Sequence, residues 1–327
     1  MKTRTTPLLP VSFGTIGRCL LKGLLAVSFG VLPFQDALAA YPDVDHVFVF
    51  VLENKGLKEI IGNPDAPYIN RLSRRHALFT NYHAMAHPSL PNYVALISGK
   101  TGKTFTDDPH LRFSEPTVVE AMENRGMAVR GYFQAMPAPG FLEDAYPPSN
   151  PLYVLKHNPF FLFDRMRDNP GWRRRVVPLE QLTDDLGKGR VPRLSFIVGD
   201  LCHDMHGGTA CPDNAKASLI RAGDRFIKTW VERIRGSMAW HGRSVIFITW
   251  DEGRYTLVQR VKHAIRKPRG WGGRVPFLAV KSYGSGPVLV TEYEDHRTFV
   301  DTLGALFKVN YPGEPSHPNV FPERLFR

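Results

Sequence analysis

His46–Leu52 reads HVFVFVL and runs directly into Glu53-Asn54-Lys55. After the histidine no polar residue alternates with the apolar ones, which is the pattern of a strand buried on both faces of a parallel sheet. Similar runs occur at Ala128–Phe133, Leu194–Val198, Val245–Thr249 and Val275–Val280. Between them lie amphipathic stretches, Ala66–Phe79, Pro116–Arg125, Asn214–Arg235 and Arg297–Phe307, each long enough to cross a sheet as a helix. Strands alternating with helices predict an α/β fold with a mostly parallel central sheet. Two stretches break the pattern, Gln134–Trp172 and Arg254–Gly273, and read as excursions over one face. There is no internal repeat and no low-complexity linker, so a single domain over 40–327 is expected.

The first 39 residues stand apart. Lys2, Arg4, Arg18 and Lys22 precede an apolar run from Gly23 to Phe34, and Ala37-Leu38-Ala39 supplies a small-x-small site. This predicts a secretory signal cleaved after Ala39 and a secreted or periplasmic mature chain, with no stable membrane insertion once the signal is gone. The residues before Cys19 make a poor lipidation motif. The 327-residue chain has a net charge of +11, and loss of the segment leaves +8. Two cysteines then remain, Cys202 and Cys211, and an oxidising compartment favours a disulfide between them over two thiols. No basic run exceeds the three residues Arg173–Arg175, and no zinc-finger or RNA-binding signature is present, so no nucleic-acid partner is expected. The positive charge suits an anionic substrate, a polyanionic surface or simple solubility.

Ligands of open α/β sheets bind outside the carboxyl ends of the strands. Here three buried strands each deliver ionisable groups to that edge: Glu53-Asn54 after HVFVFVL, Asp200 to His206 after LSFIV, and Asp251-Glu252 after VIFIT. Glu53 and Asn54 suit a hard cation, or a turn in which Asn54 caps a helix. Asp251 and Glu252 are costly to bring together unless a cation or an arginine offsets their repulsion; otherwise one is salt-bridged and the other solvated. In CHDMHGGTAC, Asp204 and His206 are two apart and point to one side of an extended segment, while His203 points away. In HPSLPNYVAL, Ser89 is placed to cap a helix with Pro91 in its first turn. A serine at a helix N-terminus sits in a field that favours an anion and an alkoxide, with His87, His83 and the strand-end carboxylates as candidate neighbours. His157 lies in the first excursion, and His296 opens the last helix, where neutral imidazole can ligate a metal. Trp172 with Arg173–Arg175, and Trp271 with Arg274, read as packing and solvated charge.

Taken together, VLEN, TNYHAMAHPSLPNYVALISG, KHNPF, LSFIVGDLCHDMH, ITWDEG and VPFLAVKS resemble the bacterial and fungal phosphoesterase family of secreted acid phosphatases and non-haemolytic phospholipases C. The resemblance implies an alkaline-phosphatase-like three-layer α/β/α sandwich and metal-assisted hydrolysis of phosphate esters. It makes Ser89 the nucleophile, with His157 facing the leaving group, while His87 stays a candidate catalytic neighbour of Ser89 read from the segment itself. Glu53, Asn54, Asp204, His206, Asp251, Glu252 and His296 become candidate ligands of a divalent cation of unspecified identity. The chain has Gly-Asp at 199–200 where the family often has Pro-Asn, which leaves the role of Asp200 open, and it lacks the large inserts of the phospholipases. The expected partner is therefore a small phosphate monoester. A phospholipid headgroup is the alternative, with Phe160, Phe161 and Phe163 as an apolar rim, and a non-catalytic phosphate or polyanion binder is a third reading.

Overall fold

The computed structural model describes residues 41–254, 261, 269–284, 286–310 and 319–326. The expected signal segment lies outside them, as does most of the second excursion. The described residues form one compact unit.

An eight-stranded sheet forms the centre. Its strands are β1 (His46–Leu52), β2 (Ala77–Phe79), β3 (Val129–Phe133), β4 (Val176–Pro178), β5 (Leu194–Val198), β6 (Ser244–Trp250), β7 (Phe277–Lys281) and β8 (Val288–Val290). In space they are ordered β8-β2-β7-β6-β1-β5-β3-β4. Every pairing is parallel except the two made by β7, which runs against β6 and β2. The apolar run that begins the chain's fold is thus a central strand, with Val47 to Leu52 all buried. At roughly 1.5–3 kcal/mol for each large apolar side chain removed from water, such strands supply much of the folding energy.

Among the described residues, the helices of seven or more residues are α1 (Pro67–Arg75), α2 (Ser89–Ser98), α3 (Val118–Asn124), α4 (Glu180–Gly187), α5 (Lys216–Arg235) and α6 (His296–Phe307). The register shows that they lie on both faces. Val49 pairs with Phe247, and Phe50 with Ile248, so Phe247 and Phe50 face opposite ways. Phe50 meets Phe226 of α5, whereas Phe247 meets Phe299 of α6. α1 packs on α5, and α2, α3 and α6 pack on one another, which gives an α/β/α sandwich.

Three details differ from expectation. The helix expected over Ala66–Phe79 stops at Arg75, and its last residues form β2. The rim expected from Phe160, Phe161 and Phe163 does not exist, because all three rings are buried in the core. Ser89 is the first helical residue of α2 rather than its cap, a position held by Pro88.

Candidate active site

β5, β1 and β6 are adjacent and parallel, so their carboxyl ends fall side by side. Glu53 leaves β1, Asp204 lies on the loop after β5, and Asp251 and Glu252 leave β6. Backbone bonds lock the three turns together: Glu53 N–H donates to Asp204 O at 2.7 Å, and Asp251 N–H to Leu52 O at 2.8 Å. Asn54 adopts a left-handed φ of 55°, a conformation asparagine tolerates better than most residues. Its N–H donates to Asp251 Oδ1 at 3.0 Å and its side-chain amide to Glu53 Oε2 at 2.7 Å.

α2 brings Ser89 to this edge. Asn92 of α2 accepts from the N–H groups of Met85 and Ala86, both at 3.0 Å, and donates to Ala86 O at 2.9 Å. That clamp fixes the segment leading into Ser89, whose hydroxyl donates to Glu53 Oε2 at 3.1 Å. His87 stands two residues earlier, with Nδ1 2.5 Å from Glu252 Oε2. Asp251 and Glu252 therefore face different partners, Asn54 and His87.

His157 is buried against Tyr93, with ring centroids 5.1 Å apart. Its Nε2 is 3.3 Å from Glu53 Oε1 and its Nδ1 3.4 Å from Asp204 Oδ2, distances of attraction but not of aligned hydrogen bonds. The ring expected to face the leaving group thus stands between the Glu53 and Asp204 carboxylates, with Tyr93 and His206 beside it. Asp204 Oδ1 accepts from His206 N–H at 2.7 Å, and His206 Nδ1 meets Gly207 O at 2.7 Å. A ring nitrogen facing a carbonyl must carry the proton, so Nε2 of His206 keeps its lone pair for a ligand. Glu53, His157 and His206 each offer a ligand atom within 4.8 Å of the others.

Several candidates fall elsewhere. His296 Nε2 donates to Asp251 O at 2.7 Å and its Nδ1 meets the Tyr82 hydroxyl at 2.9 Å. Both nitrogens are engaged, so the expectation of His296 as a ligand gives way to a brace behind Asp251. His83 meets Asn81 and stacks on Tyr293 rather than approaching Ser89. Asp200 builds the loop, accepting from Cys202 N–H and His203 N–H at 3.0 Å and meeting His203 Nδ1 at 2.7 Å. The segment is a hydrogen-bonded turn rather than the extended chain that the i, i+2 argument assumed, with Asp200 O accepting from His203 N–H at 2.9 Å and from Asp204 N–H at 2.8 Å. His203 is half-exposed, and Cys202 and Cys211 are joined as a disulfide that closes this loop.

Two groups were missed. Lys156, beside His157, bonds Asp107 Oδ2 at 2.6 Å, and Asp107 Oδ1 accepts from Leu90 N–H, next to Ser89, at 3.0 Å. Lys55 is buried and donates to Met205 O at 2.7 Å. Adjacency to Asn54 and to His157 was the only signal for either.

The electrostatics are unusual. Burial raises the Glu53 carboxyl to about 7, against the opposing pull of Lys156. Burial and then the charge of Glu53 raise Asp204 and Asp251 well above the carboxylate range, and burial and then Asp251 raise Glu252. Burial pushes His157 and His206 down, and takes His296 to about 4. Glu53 Oε1, His157 Nε2, Asp204 Oδ2 and Asp251 Oδ2 are buried atoms with no hydrogen-bond partner. Buried polar atoms are normally satisfied, so four such atoms at one strand edge, all oxygen or imidazole nitrogen, fit a hard or borderline divalent cation.

The chain belongs to the phosphoesterase family, whose model matches residues 63–310. A phosphatidylinositol-3-phosphatase of Mycobacterium tuberculosis is 30% identical over 231 residues, 70% of this chain and 71% of its own. An acid phosphatase of Aspergillus fumigatus is 26% identical over 210 residues, 63% of this chain, which spans only 44% of that relative. A solved protein of the alkaline phosphatase superfamily from Vibrio parahaemolyticus superposes with a TM-score of 0.56 at 15% identity, over 84% of this chain and 69% of its own. The fold is therefore alkaline-phosphatase-like.

Proposed function

We propose that this protein is a secreted or periplasmic hydrolase of phosphate monoesters in which Ser89 attacks phosphorus. The observation that carries the reading is the Ser89 hydroxyl at the head of α2, 3.1 Å from Glu53 among buried carboxylates with unsatisfied oxygens. Glu53, Asn54 and Asp251 would hold a divalent cation beside Ser89, and Asp204, His157 and His206 line the other side of Glu53. Such a cation supplies neutralisation of phosphoryl charge and a lower pKa for the hydroxyl it touches.

The chain's own residues account for the rest. Glu53 Oε2 holds the Ser89 proton and so turns an oxygen lone pair outward. The dipole of α2 and the Lys156 ammonium favour negative charge at that point. As the Ser89 Oγ–P bond forms, the bond from phosphorus to the ester oxygen breaks. His87, oriented by Glu252, gives the departing alkoxide its proton, and water then cleaves the phosphoserine.

The test is release of nitrophenol from 4-nitrophenyl phosphate by the mature chain, after chelation and again with Mg²⁺, Mn²⁺, Ca²⁺ or Zn²⁺. Turnover should return with a cation and fall by about 10²–10³ in Ser89→Ala. Undiminished turnover in that variant overturns the nucleophile. Turnover confined to 4-nitrophenyl phosphocholine would make the enzyme a diesterase, a reading weakened by burial of the phenylalanine rim. Among the described residues no helix is long and apolar enough to cross a membrane.

A further inference from the structure

α1 packs on α5, and the carboxyl ends of the two helices enclose a cavity of about 260 Å³. Tyr68, Arg71, Arg75 and His76 line it from one side, Glu232 and Arg235 from the other. It lies at the edge of the sheet opposite Ser89. β2 starts directly after His76, and β7 runs against both β2 and β6, so β2 and β6 begin at this edge and end at the catalytic one. Asp224 of α5 accepts from Tyr68 N–H at 3.1 Å and from Ile69 N–H at 2.8 Å, which fixes the tyrosine against α5.

The lining holds three guanidiniums and one carboxylate, a surplus of two positive charges. Glu232 stands 3.8 Å from Arg71 Nη2, a loose exposed pair, and among the described residues no ion pair engages Arg75 or Arg235. Burial, then the charges of Arg235, Arg75 and Lys281, hold the His76 imidazole below its ordinary range. Helix carboxyl ends attract cations, which accounts for arginines at these positions. It does not account for Tyr68, whose ring carries Arg71 at 4.7 Å and whose hydroxyl is buried with no hydrogen-bond partner. Burial and then Glu232 raise that phenol, against the pull of Arg235 and Arg71, so it remains a donor. A buried donor among unpaired guanidiniums calls for an acceptor that carries negative charge.

We infer that this cavity is a second anion site, which takes a dianionic oxyanion such as phosphate remote from the catalytic edge. Guanidinium forks match the paired oxygens of such an ion, and the Tyr68 hydroxyl would donate to a further one. Neither a divalent cation nor the proposed hydrolysis enters the inference.

The test is calorimetric titration of inorganic phosphate into the chelated mature chain at pH 8 and constant ionic strength, where unneutralised carboxylates repel a dianion from Ser89. One saturable site is expected. Arg235→Ala should weaken it by about tenfold and Tyr68→Phe by roughly threefold, and Arg75→Ala with Arg235→Ala should abolish it. Ser89→Ala should leave the affinity unchanged. Both arginines are exposed, so their truncation leaves the fold intact. Glycerol 3-phosphate carries the same dianionic head, and titrating it in parallel separates a free ion from the head of a monoester; saturable binding of either supports the site. No saturable binding of either, or binding that the Arg235 and Tyr68 variants leave unchanged, overturns it. Turnover of 4-nitrophenyl phosphate by the cation-loaded parent tests the hydrolysis separately.

Discussion

Glu53 is the hub of the site, since it accepts from Ser89 and Asn54 and faces His157. It is also where function and stability pull apart. Burial raises its carboxyl from 4.5 to about 7 in the folded chain without a cation, so the protonated form is the one that favours folding. Its contribution is fully present below about pH 4.5 and is lost as the pH rises through about 7. A displacement of that size corresponds to roughly 3 kcal/mol. Glu53→Gln keeps an acceptor for Ser89 and Asn54 but cannot ionise. In chelated protein at pH 8 it should therefore be more stable than the parent by up to that amount, or roughly 5–10 °C in Tm for a chain of this size. At pH 4.5 the difference should largely vanish. The assay is a set of thermal melts by circular dichroism at the two pH values, with and without a divalent cation. The cation should reverse the ranking at pH 8, because only the carboxylate binds it well. Turnover of the same variant should fall by about 10²–10³. A Tm difference that does not change with pH in chelated protein would refute the reasoning, since Glu53 would then carry no burden of buried charge.

Three further outcomes are expected. Cys202→Ser with Cys211→Ser opens a loop of sequence separation nine and should cost about 2–3 kcal/mol in denaturant melts, while also weakening cation binding through Asp204 and His206. Lys156→Met should lower kcat by at least about tenfold with the cation content, measured by atomic absorption, unchanged. His296→Ala should destabilise the fold by about 1–3 kcal/mol by stranding Asp251 O and the Tyr82 hydroxyl, yet leave cation stoichiometry intact, which separates a brace from a ligand.

The central sheet was legible because strands buried on both faces write themselves as unbroken apolar runs, as in HVFVFVL and VIFIT. The three-residue strands β2, β4 and β8 were not, because such short segments carry no period. Ala77–Phe79 also continues an amphipathic pattern that tertiary pairing with β7 and β8 overrides. Residue type and strand-end position were enough to nominate Glu53, Asp204 and Asp251. They did not separate ligand from brace, as His296 shows, because that depends on which backbone carbonyl a ring nitrogen meets. The apolar triplet near His157 misled for a related reason: Phe160, Phe161 and Phe163 look like a rim in sequence, but the turn that carries them folds inward.

The same geometry weighs against a protein that merely binds phosphate or polyanions through its surplus of positive charge. Glu53, Asp204, Asp251 and Glu252 are all buried at one edge, with Lys55 and Lys156 as the cations acting on them. Lys55 is turned to Met205 O and Lys156 is bonded to Asp107, so neither cancels the cluster outright. A dianionic ester approaching Ser89 would meet net negative charge unless the carboxylates were protonated or a cation intervened. Protonation would permit phosphate binding up to about pH 7, where Glu53 ionises, and less as the pH rises further, whereas a cation would permit it undiminished above that pH. Phosphate affinity measured across that range on chelated and reloaded protein carrying Arg75→Ala and Arg235→Ala thus separates the two. If affinity at pH 8 needs no cation, the carboxylates are not its site, and the proposed mechanism falls with them.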